Sequence, residues 1–439
     1  MRKPPPPRAT VAYVLKSFPR LSETFIASEI YRLEQLGVAL RLFVIKESGE
    51  PLQHPVVDAI RAPRVQLPKA APVSGVPLGR WLARHLPTFT PALWRVMRRH
   101  PLRVLRVTGI AIAHAFRARP AWWSPIKKSP VKELLQAFAL ADAIAAADDV
   151  RHVHAHFCHS ATTVAWLASL VEGLPLSFTA HAKDVYQSDL NPAGLLDRKL
   201  RAARFVITCT ETNRQYLQAR TTTPVYCLYH GLNVEFARLC AERPRDAVRV
   251  DTVRVLAVGR LVAKKGFDVL VDACALLRER GVEATLTIVG EPGDHAPVLA
   301  DRIARLGLGP VVSIKGPMPQ RDLFDEYARA TVFCLPCRVL DNGDRDGIPN
   351  VIAEAMAYGL PVVTTNVSGA PELLEDRVNG MVVPPEDPSA VADAIALLHA
   401  DPRLAHQLAR AAIVTITTRF NGDRTAQALS SLLQEAAAC

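Results

Sequence analysis

Apolar positions along this 439-residue chain fall into two rhythms, short solid runs and longer stretches with helical i, i+3, i+4 spacing. VAYVLKSFP reads as a buried strand, and LSETFIASEIYRLEQLG as the helix after it, with Ser22 as N-cap and Gly37 as stop. LRLFVIK supplies the next strand. The alternation then lapses and resumes at VRHVHAHF and LPLSFTAHAKD, and RFVITCT and VYCLYHGLN close a first unit, residues 1–241. Glu242 to Asp251 reads as a polar linker. A second unit, residues 242–415, carries strands in LAVGR, TLTIVGE, VVSIKG, TVFCLP, LPVVTT and GMVVPP, with helices between most of them. The stretch from Pro402 to Cys439 is helical in pattern, and residues 416–439 form a separate last element. Strand-helix alternation predicts an α/β protein of two doubly wound parallel sheets, each covered on both faces. A hydrophobic content of 49% is ample for two cores. No internal repeat is evident.

Charge explains the lapse. Residues 59–132 hold 15 of the 53 Lys and Arg and none of the 42 Asp and Glu, so the whole basic excess is local. The same segment holds Trp81, Trp94, Trp122 and Trp123, four of the five tryptophans. RWLARHL and PALWRVMRRHPLRVLRVTGIAIAHAF mix Arg with Trp, Leu, Val and Phe in helical rhythm. That combination predicts an anionic membrane surface as partner, with the helices lying in the headgroup layer. Each basic group near such a surface contributes on the order of 1 kcal/mol. The alternative is that these helices pack as core beneath a coat of arginines. VTGIAIAHAF is too short to span a bilayer, which needs about 20 mostly apolar residues. No nucleic-acid-binding module accompanies the basic segment, so nucleic acid is not an expected partner.

The opening MRKPPPPRA lacks an apolar h-region and does not read as a secretory signal, so the expected location is the cytoplasmic face of the membrane, peripherally bound. Eight cysteines are scattered, several in apolar strand-like runs, which fits reduced buried thiols. Cys334 and Cys337 form a lone CxxC and point to neither zinc nor redox chemistry. In RHVHAHFCHS, His152, His154 and His156 share one face of a strand, with Cys158 and His159 close by. Three such imidazoles can approach a zinc ion, but no second ligand cluster accompanies them, and no metal is expected.

The candidate chemistry centres on NGDRDGIPNVIAEAMAYGLPVVTT. Asp346 and Glu354 stand eight residues apart across a loop-to-helix junction that follows the apolar run TVFCLPCRVL. Asn350 and Glu354, at i and i+4, share a helical face. Amide groups around Gly347, Ile348 and Asn350 open the helix, and such an opening favours phosphate or sugar oxygens. Upstream, VRVLAVGRLVAKKGFDVLVDAC sets Arg260 and Lys265, with Lys264 as a stand-in, at the end of a strand, where open α/β sheets bind ligands. A guanidinium fork and a compact ammonium suit a diphosphate. In SFTAHAKDVY a strand ends at His181, with Lys183 and Asp184 following.

In this order the motifs resemble those of the retaining glycosyltransferases of the GT4 family. The acidic pair matches its acidic-x7-acidic signature, with Asp where many members have Glu. The resemblance implies the GT-B fold, two Rossmann-like domains facing a cleft, with the C-terminal helix crossing back onto the first. It implies transfer of a sugar from a nucleotide-diphosphate donor, a UDP-sugar on family frequency, to a hydroxyl with retention, using no metal and no cofactor. Arg260 and Lys265 would neutralise the leaving diphosphate, Asp346 bind sugar hydroxyls, Glu354 accept hydrogen bonds from the ribose, and His181 hydrogen-bond the sugar. Gly347, Ile348 and Asn350 would complete the donor site. SFPRLSETFI is similar to exopolysaccharide enzymes such as those of colanic acid. It puts Phe18, Pro19, Glu23 and Thr24 on the acceptor side, with His154 or His156 lining the cleft, and implies a glycan acceptor, lipid-linked in view of the basic segment. A sugar-nucleotide 2-epimerase and a non-catalytic membrane-bound scaffold of the same architecture are the rival readings.

Overall fold

Seven parallel strands form the first sheet: β1 (Thr10–Ser17), β2 (Leu40–Lys46), β3 (Arg64–Gln66), β4 (Val150–His156), β5 (Leu176–Ala180), β6 (Phe205–Thr208) and β7 (Val225–Cys227). A second sheet contains β8 (Val253–Val258), β9 (Ala284–Val289), β10 (Val312–Lys315), β11 (Val332–Leu335), β12 (Val362–Thr365) and β13 (Met381–Val383). The computed structural model describes residues 9–20, 23–49, 54–243, 245 and 252–438. Ser22, most of the 242–251 linker and Cys439 lie outside the described residues.

The strand orders are β3-β2-β1-β4-β5-β6-β7 and β10-β9-β8-β11-β12-β13. In each sheet the chain winds outward from the first strand and then returns to its other side. The reversals fall between β1 and β4 and between β8 and β11, the crevices where doubly wound sheets take ligands. Solid apolar runs make these strands because both faces are covered: β11, VFCL, is buried at all four positions. β3 escapes that pattern. Its Arg64 and Gln66 are exposed on a three-residue edge strand, so no apolar signal marks it.

The basic segment folds as helices Leu78–Arg99 and Pro101–Arg117, followed by Ser129–Ala145. The first runs through Pro87 and Pro91. Pro91 has no N–H for the Pro87 carbonyl, and the Thr90 hydroxyl donates to that oxygen instead, at 2.8 Å. The break falls at His100, whose extended φ of −138° suits the residue before a proline. One face of these helices is core: Trp81, Phe89 and Ala92 pack with Leu135 and Ala139, while Val96, Val104 and Val107 join the first domain's main cluster. Trp94, Leu102, Leu105, Trp122 and Trp123 are exposed. Among the described residues no helix is long and apolar enough to cross a membrane.

The C-terminal run divides into Pro402–Arg419 and Gly422–Ala438. The last helix buries Leu429, Leu433, Ala436 and Ala437 against Val11, Tyr13 and Ile26 of the first domain. Arg32 fixes its start, pairing with Asp423 at 2.8 Å and donating to the Leu232 carbonyl at 2.9 Å. Cys158, Cys209, Cys227, Cys240, Cys274, Cys334 and Cys337 are free thiols.

Candidate functional site

A cleft of about 690 Å³ opens where the C-terminal ends of β1 and β4 face those of β8 and β11. The second domain contributes Arg260, Lys264, Lys265, Asp346, Asn350 and Glu354. Lys16, Glu23, Thr24, His159 and Lys183 face them from the first domain. Its floor is backbone in close approach: a Cβ on Gly290 would meet the Gly259 carbonyl at 2.0 Å, so only glycine fits at the end of β9.

The 3-10 turn Ala263–Lys265 aims both lysines. Gly266 follows it at φ +67°, where a Cβ would lie 1.9 Å from the Pro336 carbonyl oxygen. Arg338 clamps the turn, donating from Nε to the Ala263 carbonyl at 2.9 Å and pairing with Asp268 at 2.9 Å. Lys265 then meets Asp346 at 2.7 Å, and Lys264 bridges Asp346 at 3.1 Å and Asp344 at 3.0 Å. Burial pushes the Asp346 carboxyl up, but Lys265 and Lys264 outweigh it and hold the group well below the usual carboxylate range. Burial works against the charge on Lys265, and Asp346 overcomes it, raising the ammonium's pKa. The acid and the cation that the sequence assigned to sugar and diphosphate are thus paired with each other. Arg260 extends, exposed, into the cleft.

Helix Asn350–Ala357 begins at the cleft, with Asn350 and Glu354 one turn apart on its lining. Glu354 is 4% exposed. It accepts a hydrogen bond from the Tyr327 hydroxyl at 3.0 Å, and burial pushes its carboxyl up to about 7 against the lowering effect of that bond. Gly347 and Ile348 are not part of the cleft lining. Gly347 lies against the first domain, where a Cβ would stand 3.4 Å from Cys209 Sγ and 3.8 Å from the Ala182 methyl. Ile348 packs on the second domain's core.

His181 caps helix Ala182–Tyr186, its N–H donating to Asp184 at 2.9 Å. The half-buried ring is not part of the cleft lining; it lies among Phe25, Phe157 and His230 and bonds His156 through Nε2 at 2.9 Å. Burial pushes its pKa down to about 4, with Asp184 opposing.

His154 and His156 do not line the cleft. Both are fully buried in the first sheet, because β4 is covered on both faces. His154 is satisfied by Ser177 at 2.8 Å and Thr179 at 3.2 Å, and His156 by Tyr13 at 3.0 Å. His152 bonds Ser177 as well, at 2.7 Å, so the alternating histidines are a hydrogen-bonded interior row. Phe18 is likewise core, under the Arg64 guanidinium, and neither it nor Pro19 lines the cleft. Glu23 and Thr24 do.

Sequence reasoning missed the residues that join the domains. Glu372, in the second, accepts from the backbone N–H groups of Glu211 at 2.6 Å and Thr212 at 2.8 Å and from the Tyr229 hydroxyl at 3.0 Å. Lys183 approaches Asp344 at 4.0 Å, and Arg345 stacks over Tyr186 at 4.3 Å. Tyr327, the partner of Glu354, was also missed. In the sequence it is one aromatic among the apolar positions of an amphipathic helix.

Residues 252–401 match the family model for glycosyl transferases group 1. The amylovoran biosynthesis glycosyltransferase AmsK of Erwinia amylovora is 35% identical over 193 residues, 44% of this chain and 47% of that protein. The putative colanic acid biosynthesis glycosyltransferase WcaL of Escherichia coli is 38% identical over 144 residues, 33% of this chain and 35% of that one. The aligned regions thus span less than half the length of these curated relatives. Among solved structures, Anabaena Alr3699/HepE in complex with UDP and glucose superposes with a TM-score of 0.66 at 18% identity, covering 96% of this chain and 98% of that one. Residues 252–401 therefore form a glycosyl transferases group 1 domain, and the chain as a whole has the GT-B fold of two facing parallel-sheet domains.

Proposed function

We propose that the protein is a retaining glycosyltransferase that moves a sugar from a UDP-sugar to a hydroxyl of a lipid-linked glycan, in the assembly of an exopolysaccharide. The observation that carries this reading is the gathering of Arg260, Lys264 and Lys265 with Asp346 and Glu354 around one cleft at the ends of β8 and β11. Three cations suit a diphosphate, and Glu354 suits the ribose hydroxyls. An arriving diphosphate competes with Asp346 for its two lysines and frees that carboxylate for the sugar hydroxyls. As the bond from the anomeric carbon breaks, the electron pair stays on the diphosphate. The acceptor oxygen forms the new bond to the anomeric carbon and gives up its proton to the departing diphosphate. The cations stabilise the leaving charge, where such help lowers the barrier most, and the reaction uses no metal. Glu23 and Thr24 meet the acceptor, and His181, which stands behind Phe25 and Phe157, reaches the donor sugar by turning out of its bond to His156.

The acceptor's lipid end would hold the protein at the cytoplasmic face of an anionic membrane, engaged by the outer face of the basic helices. Leu102, Trp122 and Trp123, at 79%, 78% and 73% exposure, would enter the headgroup layer there, flanked by arginines.

Calorimetric titration tests the donor site. UDP should bind more tightly than GDP, ADP or dTDP without added metal, and Arg260→Ala should weaken it by about tenfold or more. Equal, metal-dependent binding of all four nucleotides, or an Arg260→Ala variant with unchanged affinity, would overturn the assignment.

A further inference from the structure

His181, Cys209 and His230 follow the ends of the adjacent strands β5, β6 and β7, so sheet order rather than sequence spacing brings them together. One donor atom from each lies within 4.8 Å of the other two. The two imidazole rings stack with centroids 5.0 Å apart and 18° between planes, and Cys209 Sγ lies 3.9 Å from His181 Nδ1. A tetrahedral zinc ion with bonds of about 2.0–2.3 Å sets its ligands about 3.3–3.7 Å apart, so the cluster closes on an ion with shifts of about 1 Å.

The hydrogen bonds behind the cluster point the same way. Tyr13 donates its hydroxyl hydrogen to the Glu29 carboxylate, which leaves its oxygen to accept from His156 Nδ1–H. His156 Nε2 is then bare and accepts from His181 Nε2–H. That chain fixes the His181 tautomer and turns the lone pair of Nδ1 toward Cys209. A metal-bound imidazole commonly donates its other N–H to an acceptor behind it, and His156 stands in that place for His181. His230 adds an independent sign, because its Nε2 is buried with no hydrogen-bond partner among the described residues.

We propose that His181 Nδ1, Cys209 Sγ and a ring nitrogen of His230 bind a soft divalent cation of the zinc class, and that this ion inhibits the protein. Binding replaces the thiol proton of Cys209, released to solvent, with a sulfur–metal bond. It also engages the ring that the proposed function gives to the donor sugar. Inhibition rests on that reading, whereas binding does not.

Cobalt(II) titration of the full chain decides the binding. The expected result is a near-ultraviolet thiolate-to-cobalt band that saturates at one ion per chain, is displaced by zinc, and is absent in Cys209→Ser. His230→Gln, at the half-buried rim, should weaken binding about tenfold or more, with an unchanged far-ultraviolet dichroism spectrum. No band in the native chain, an undiminished band in Cys209→Ser, or unaltered affinity in a folded His230→Gln overturns the site. Zinc should suppress nucleotide release in parallel with its displacement of cobalt. Binding without suppression overturns the inhibitory role, and a chain inactive with every donor counts against the proposed function while the spectrum still decides the site.

Discussion

Glu372 of the second domain accepts two hydrogen bonds from Thr212 of the first, from the backbone N–H and from the hydroxyl, both at 2.8 Å. With the N–H of Glu211 beside it, the carboxylate caps the start of helix Glu211–Gln218 from across the domain boundary. Hydrogen bonds to a charged group contribute roughly 1.5–3 kcal/mol each. Glu372→Ala is therefore expected to shift the domains toward a more open arrangement, with a larger radius of gyration in small-angle scattering. Turnover should fall about tenfold or more, as cleft residues from the two domains separate. A variant with unchanged scattering and turnover would show that the cap does not govern closure.

Glu354 offers a test of the buried carboxyl. Burial raises its folded pKa from 4.5 to about 7, so it favours the folded state below pH 4.5, and that contribution disappears as pH rises through 7. Glu354→Gln keeps the shape without the titration. Relative to the native chain, this variant should gain on the order of 3 kcal/mol of stability between pH 4.5 and pH 8, read by urea unfolding at both pH values. A difference that does not change with pH would place the carboxyl in a better-solvated setting than the structure gives it.

The buried histidines act in the opposite sense. Burial lowers His152 and His154 to about 3 and His114 and His181 to about 4, and pushes His156 and His230 well down. A depressed folded pKa gives stability that is complete above the unfolded value of about 6.5 and is lost as pH falls toward the folded value. Glu29, Glu133 and Glu354, each raised to about 7, gain stability over part of the same interval, but three carboxyls stand against six imidazoles. Unfolding free energy should therefore drop from pH 6.5 to pH 4.5 with net proton uptake on unfolding. A flat profile across that interval would rule out neutral buried rings.

Trp122 and Trp123 meet edge to face, centroids 5.6 Å apart, on the outside of the basic segment. Their substitution by serine should leave the melting temperature within about 2 °C, because neither ring is buried. Partitioning onto anionic vesicles should fall by about tenfold or more, taking roughly 1.5 kcal/mol for each aromatic ring buried in the interface. Sedimentation with vesicles measures this directly. Equal sedimentation of variant and native chain would assign the exposed rings to some other contact.

Local signals made much of this fold legible. Two-sided burial writes itself as solid apolar runs such as VAYVL and VFCL, and these lie where strands form. β3 left no such trace, and the Leu78–Arg99 helix survives two prolines through tertiary packing of Trp81, Phe89 and Val96. Asp346, Glu354, Arg260 and Lys265 were singled out by strand ends, a helix start and the order of motifs that resembles a known family, and the structure brings all four to one cleft. Their partners were not. Thr212 lies 160 residues from Glu372, and the meeting of His181, Cys209 and His230 depends on the order β5-β6-β7. His154 and His156 misled for a related reason: alternation tells which face of a strand a side chain takes, but not whether that face is covered.

The central claim is transfer from a nucleotide sugar without metal, and a turnover assay tests it most directly. Purified protein with anionic vesicles carrying lipid-linked glycan should release UDP from one UDP-sugar, undiminished by EDTA and abolished in Arg260→Ala. The sugar should appear on the lipid-linked product with its anomeric configuration kept. Isomerised sugar without nucleotide release, or no turnover of any UDP-, GDP-, ADP- or dTDP-sugar, would contradict the account.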